Sequence, residues 1–126
     1  SRAEKIARVA GYIPELEVSG AKEGKLLVVG WGGTYGHLVS AVSQVRASGK
    51  EIGYAHFDYI NPLPGNTEEV FSRYDEILVC ELNSGHFVNY LRGLLPQYRY
   101  QQYNKVQGQP FLVQELVAAI EKAFED

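Results

Sequence analysis

The chain has 126 residues, 45% of them hydrophobic and 12% aromatic, which suits one globular domain. Its formal charge of −3 comes without a basic stripe, arguing against nucleic acid and anionic membrane as main partners. The single cysteine, Cys80, excludes an internal disulfide and a self-contained four-cysteine iron–sulfur or zinc centre, and it suits a reducing, cytoplasmic setting.

In chain order, residues 1–24 differ from the rest. A short helical segment is expected over residues 3–10, with Ile6 and Val9 on one side. "GYIPELEVSG" breaks it, and "AKEGK" reads as an exposed link. The stretch is expected to be an arm that packs on the domain or on a neighbour, with the domain proper running over residues 25–126. The chain neither starts with methionine nor contains any, and is read as a piece of a longer protein.

From Lys25 onward strand and helix patterns alternate. "KLLVVG" (25–30) is a continuous apolar run, the mark of a central strand covered on both faces. A helix is expected over 34–49, with Leu38, Ala41, Val42 and Val45 at helical spacing and Gly49 at its end. "EIGYAHFDYI" (51–60) reads as the second strand. "NPLPGN" is a loop. Asn66 has N-cap character with Glu69 at capping-box spacing, opening a short helix whose buried face is Val70, Phe71 and Tyr74. "EILVCEL" (76–82) is the third strand. A third helix follows over 84–95, with Phe87, Tyr90, Leu91 and Leu94 on one stripe. "YRYQQYN" (98–104) is an edge strand. The last helix carries Val113, Leu116, Val117, Ile120 and Phe124 on its apolar side. No apolar run approaches the roughly 18 residues of a membrane span.

Such alternation predicts an α/β fold, a three-layer α/β/α sandwich around a mostly parallel sheet. Binding in such sheets occurs beyond the carboxyl ends of the strands. Three segments lie there: "GWGGT", "NPLPGN" and "ELNSGH". The interface candidates are Gly32, Gly33, Thr34, Asn61, Glu81, Asn83, Gly85 and His86.

"VVGWGGTYGH" admits two readings. A glycine corner before a helix can hold a phosphate. Gly30, Gly32, Gly33 and Gly36 nevertheless miss the dinucleotide fingerprint by one residue, and no lysine follows as in a P-loop. Asp58 lies later than the usual ribose acid, about 20 residues on. The plainer reading is a sharp turn, with Gly32 or Gly33 at positive φ and Thr34 capping the helix.

Glu81 and Asn83 could act as base and orienting group, contact a neighbouring domain, or serve locally, with Ser84 a helix cap. His37, His86 and Glu81 could form a three-ligand metal site, though no spacing fixes that geometry. His56 is expected to be hydrogen-bonded within its strand, and Cys80 to be a small buried residue. Ser40, Ser43 and Ser48 have no hydrolase-type elbow around them. Tyr98, Tyr100 and Tyr103 suit either an interface or half-buried packing.

Four segments in register, "VVGWGGTYG", "INPLPGNTEEV", "ELNSGHF" and "QGQPFLVQEL", together resemble the C-terminal domain of the α subunit of 2-oxoacid:ferredoxin oxidoreductases. The resemblance spans roughly Arg2 to Phe124 and implies a fold like the C-terminal domain of transketolases. Members of the family convert a 2-oxoacid to an acyl-CoA with thiamine diphosphate, magnesium, coenzyme A and iron–sulfur clusters, passing electrons to ferredoxin. It implies that this domain holds none of these cofactors and has no catalytic residue. Its expected partners are the other domains of its own α chain, the β subunit and, indirectly, ferredoxin. It is then a non-catalytic interface domain, the alternative being a nucleotide-binding module that uses the Gly30–Gly36 turn. Two positions depart from the family pattern. Gly33 stands where serine is usual and His86 where glutamine is usual, so subunit contacts there are expected to differ.

Overall fold

The computed structural model describes residues 13–82, 85–105 and 111–125. The helical segment expected over residues 3–10, and Asn83 and Ser84, lie outside them. The elements are β1 (Val18–Gly20), β2 (Gly24–Trp31), a 3-10 turn (Gly32–Thr34), α1 (Tyr35–Ala47), β3 (Ile52–Phe57), α2 (Thr67–Phe71), β4 (Tyr74–Glu81), α3 (His86–Leu94), β5 (Tyr100–Asn104) and α4 (Val113–Glu125). One five-stranded sheet has the order β1-β3-β2-β4-β5. All its pairs are parallel except β1 with β3.

β2 lies at the centre, and its composition explains why. Leu26, Leu27, Val28 and Val29 are at most 1% exposed, and alternate residues serve opposite faces. Leu26 and Val28 pack with α1 and α4, through Leu38, Val42, Val45, Leu116 and Ile120. Leu27 and Val29 pack with α2 and α3, through Val70, Phe71, Phe87 and Leu91. The expected three layers follow from this alternation. On the second face Phe71, Phe57, Phe87 and Trp31 form a chain of rings, edge-to-face at the two phenylalanine pairs and tilted at Trp31, with centroids 5.1–6.1 Å apart. Each such pair adds about 0.5–1.5 kcal/mol beyond burial.

The structure differs from the sequence expectations in several places, three of them in how β1, α2 and β4 are set; Leu94, expected on the stripe of the third helix, is also exposed. First, the arm contributes a strand. Val18 to Gly20 pair with Ala55 to Gly53. The strand is anchored from outside itself. Arg46, in the last turn of α1, donates to the Ser19 carbonyl at 2.6 Å and to the Ile52 carbonyl at 3.2 Å. Gly20 takes φ 80°, a conformation that favours glycine, and a side chain there would also displace that guanidinium.

Second, Asn66 does not cap α2 with its side chain. Its Oδ1 accepts from the Leu16 amide at 2.7 Å, and its Nδ2 donates to the Leu16 carbonyl at 2.9 Å. It clamps the incoming arm instead. Third, Tyr74 begins β4 rather than ending a helix face. Pairing with Gly24 and a hydrogen bond from its hydroxyl to the Ala21 carbonyl, 2.7 Å, outweigh its helical spacing from Val70.

That last bond explains Gly53. A Cβ added there would lie 2.5 Å from the Tyr74 hydroxyl and 2.6 Å from the Ala21 carbonyl oxygen. We expect Gly53→Ala to destabilise the fold by about 1–3 kcal/mol. Gly33→Ala meets open space and should stay within about 0.5 kcal/mol. Urea unfolding midpoints check both, and equal midpoints would contradict the close approach.

Candidate functional site

The carboxyl edge of the sheet collects the loops singled out in the sequence. β2 ends at Trp31, and the chain turns at once into α1. Gly32 takes φ 70°, the left-handed conformation that favours glycine. Gly30 is needed for a different reason. A side chain there would strike Leu38 of α1 and crowd Thr34 and the Tyr54 hydroxyl. Thr34 sits at the helix start without capping it, and its Oγ1 donates to the Trp31 carbonyl at 3.2 Å.

Parallel pairing places His56 beside Gly30. The His56 ring is held at both nitrogens. Nε2 lies 3.0 Å from the Gly32 carbonyl, and Nδ1 lies 2.8 Å from the Tyr54 hydroxyl. A carbonyl can only accept, so Nε2 carries the proton and Nδ1 accepts from tyrosine. Burial lowers the pKa of His56, and the Gly32 carbonyl opposes this in part. Tyr35, 57% exposed, packs edge-on to the His56 ring at 5.1 Å.

Glu81 ends β4 and is 0% exposed. Its Oε1 accepts from the Phe87 amide at 2.8 Å, and its Oε2 from the Val88 amide at 2.9 Å. The carboxylate thus takes up amides of the first turn of α3, where the helix dipole favours negative charge. Gly85, buried at φ 94°, provides the left-handed residue before that turn. The local structural role is therefore the one the geometry shows for Glu81.

The candidates separate by exposure. Gly32, Gly33, Asn61 and His86 are exposed. Thr34, at 2%, and Glu81 are buried and present no side-chain surface to a partner. Asn83 is outside the described residues. Among the described residues, no group of three or more His, Cys, Asp or Glu is arranged to hold a metal. Cys80 is fully buried, and burial, with Glu81 next to it, pushes its thiol up to about 12. It is a core residue, not an activated nucleophile.

A cleft of about 660 Å³ opens beside the glycine turn. Its walls include Glu15, Glu17, Tyr35, Tyr54, His56 and Asp58. Sequence reasoning passed over this grouping. The alternation of Tyr54 and His56 along β3, continued by Asp58 just beyond it, was its only local signal, because Glu15 and Glu17 arrive on the segment that leads into β1.

No known family profile matches the chain. It is 36% identical over 116 residues to the 2-oxoglutarate oxidoreductase subunit KorA of Mycobacterium tuberculosis (strain ATCC 25618 / H37Rv). That alignment takes in 87% of this chain and 17% of the relative, so the chain spans about a sixth of the length of this curated relative. Among solved structures it superposes on the 2-oxoglutarate:ferredoxin oxidoreductase from Magnetococcus marinus with 2-oxoglutarate, coenzyme A and succinyl-CoA bound. The TM-score is 0.88 at 21% identity, over 98% of this chain and 22% of that one. It also matches a split-gene transketolase, an inactive β4 tetramer, with TM-score 0.64 at 18% identity, over 86% of this chain and 41% of that one. At these identities the two structures establish the fold, and it is the expected one.

Two outcomes follow from the site. Hydrogen bonds to a charged group contribute about 1.5–3 kcal/mol each, so losing both in Glu81→Ala should destabilise the chain by roughly 3–6 kcal/mol. Glu81→Gln, which turns an N–H toward an amide, should lose somewhat less. Thermal unfolding measures both. His56 has a folded pKa below its unfolded value of about 6.5, so the unfolded chain binds more protons beneath that pH. Stability should therefore fall as pH drops from about 7 to about 5, and His56→Gln should fall less steeply in denaturant titrations.

Proposed function

The chain carries a domain of the 2-oxoacid:ferredoxin oxidoreductase family, and from that premise we propose that it is a non-catalytic interface domain of the α subunit. The whole protein would oxidatively decarboxylate a 2-oxoacid to an acyl-CoA. Two of the three related proteins named above are named for 2-oxoglutarate, so 2-oxoglutarate is the first substrate to assay.

One observation carries the reading. Three polar side chains of the carboxyl edge, those nearest the ends of the central strands, hold backbone. Glu81 holds two amides, His56 holds the Gly32 carbonyl and Thr34 holds the Trp31 carbonyl. Large apolar side chains are exposed at the same edge: Tyr35, Tyr59, Leu82 and Leu112 follow the ends of β2, β3, β4 and β5. Such a surface suits burial against another protein part. The partners would be the remaining domains of the same α chain and the β subunit, with ferredoxin reached through them.

The resemblance implies thiamine diphosphate, magnesium and iron–sulfur clusters in the parent assembly. The described residues do not fit these groups. The one thiol is enclosed in the core, and the acidic side chain at the end of β4 is committed to helix amides. The nucleotide-binding alternative is not favoured. The cleft at the glycine turn is lined by Glu15, Glu17 and Asp58 and, among the described residues, by no lysine or arginine, a poor setting for phosphates.

Calorimetric titration of the chain with thiamine diphosphate and magnesium should show no saturable heat, and 2-oxoglutarate should not be decarboxylated by the chain alone. Binding with micromolar affinity would overturn the proposal. NAD and ATP should likewise fail to bind. Saturable binding that Gly32→Val abolishes would instead establish the nucleotide module.

A further inference from the structure

We propose that the cleft beside the glycine turn receives an arginine side chain of a partner protein segment. The inference rests on the interface reading and names the chemistry that one part of that interface would use.

The cleft lies among the segment leading into β1, the carboxyl end of β3 and the Gly32 turn, and its volume is about 660 Å³. Two independent features coincide there. The first is an aromatic wall. The Tyr35 ring lies 5.1 Å from the His56 ring and 6.2 Å from Tyr54, and Tyr54 lies 6.3 Å from His56. The Tyr35 side chain is still 57% exposed, so part of its ring remains open to a visitor.

The second feature is the charge around that wall. Glu15, Glu17 and Asp58 line the cleft, and among the described residues no lysine or arginine does. Among the described residues Glu15 and Glu17 have no ion-pair partner. Asp58 approaches His56 Nε2 at 3.9 Å, but that nitrogen already donates to the Gly32 carbonyl. The ring also accepts from Tyr54 at Nδ1, so it is neutral in this arrangement and supplies no internal cation.

An aromatic face beside carboxylates selects a cation. A guanidinium suits it better than an ammonium, because its plane stacks on a tyrosine ring while its edge forks onto a carboxylate. The volume accommodates an arginine with its flanking backbone, and clefts of about 300–1,000 Å³ are typical of ligand sites. The neighbouring β1 is a sheet edge of three residues. A partner segment running along it would bring its side chain to the cleft mouth.

The probe is N-acetyl-arginine amide, titrated against the chain while the ring resonances of Tyr35, Tyr54 and His56 are followed by NMR. Saturable shifts are expected, with a dissociation constant on the order of millimolar for a single side chain. Binding should weaken about fivefold or more in Glu15→Gln/Glu17→Gln and in Asp58→Asn, and should weaken as salt is raised. Tyr35→Leu should also weaken it. These side chains are solvent-facing, and unfolding midpoints close to that of the unmodified chain would verify the fold. The citrulline analogue, neutral and of the same shape, should produce no saturable shift.

Absence of saturable shifts with the arginine probe would overturn the proposal, as would equal binding of the citrulline analogue. Tetramethylammonium or the lysine analogue binding as tightly as arginine would overturn the guanidinium assignment and leave a general cation site. Thiamine diphosphate binding would sink the interface reading without touching these shifts. Loss of the shifts alone would leave the interface reading in place.

Discussion

Two backbone amides meeting one carboxylate decide how α3 leaves the sheet. Glu81 closes β4, and its two oxygens engage Phe87 and Val88 at 2.8 and 2.9 Å, so the helix start is tied to the strand end. That tie places Phe87, Val88 and Leu91 on the face already lined by Leu27, Val29 and Val79. Phe87 then contacts both Trp31 and Phe57, the last residues of β2 and β3. The strand ends are registered by their own ladders, and the buried acid ties the start of α3 to them. A fully buried carboxylate is tolerable only when such donors meet it. The same feature removes the most obvious catalytic candidate from the surface.

Much of this architecture was legible in the sequence, and the legible parts share a cause. The apolar run of β2 and the stripe of α4 are periodic over enough residues for the pattern to specify both element and face. β1 was read as part of an arm because three residues, "VSG", carry no pattern; it is held by Arg46, Tyr74 and Asn66, contributed from afar. Asn66 was misleading because its spacing to Glu69 imitates a capping box, while the amide that it meets belongs to Leu16. Tyr74 satisfied a helical spacing and a strand start equally well, and the pairing with Gly24 decided between them. The burial of Glu81 was invisible for a related reason. An acid before a helix looks the same whether it faces solvent or folds back on the helix amides.

The glycine corner shows how similar local chemistry can serve opposite ends. A strand entering a helix through glycines offers the geometry that other proteins use for phosphates. Here Gly30 makes room for Leu38 and Gly32 supplies a left-handed residue, so two glycines have packing or conformational reasons. The Gly32 carbonyl is turned toward His56 and fixed there. The surroundings then decide what can approach. Glu15, Glu17 and Asp58 give the cleft a negative rim, and the potential in a concave site with low-dielectric walls is focused rather than dispersed. An anion is repelled where the same backbone, in a basic setting, would welcome it.

The exposed groups of this domain make physical sense when the chain is considered as part of something larger. It spans 17% of one relative and 22% of a structural neighbour. A domain that occupies so small a share of its relatives has surfaces shaped by what adjoins it. Tyr35, Tyr59, Leu82 and Leu112, left open at one edge of the sheet, would stay hydrated without a neighbour, whereas burial gains about 25 cal/mol per Å² of apolar area. Leu94 is exposed too, at the other end of α3, so the apolar exposure is weighted toward the carboxyl edge without being confined to it. The internal hydrogen bonds at that edge leave its backbone pre-arranged, which lowers the ordering needed on docking. Apolar side chains outward, with Glu81, His56 and Thr34 tied to backbone, form the combination expected of a surface that docks against another protein part.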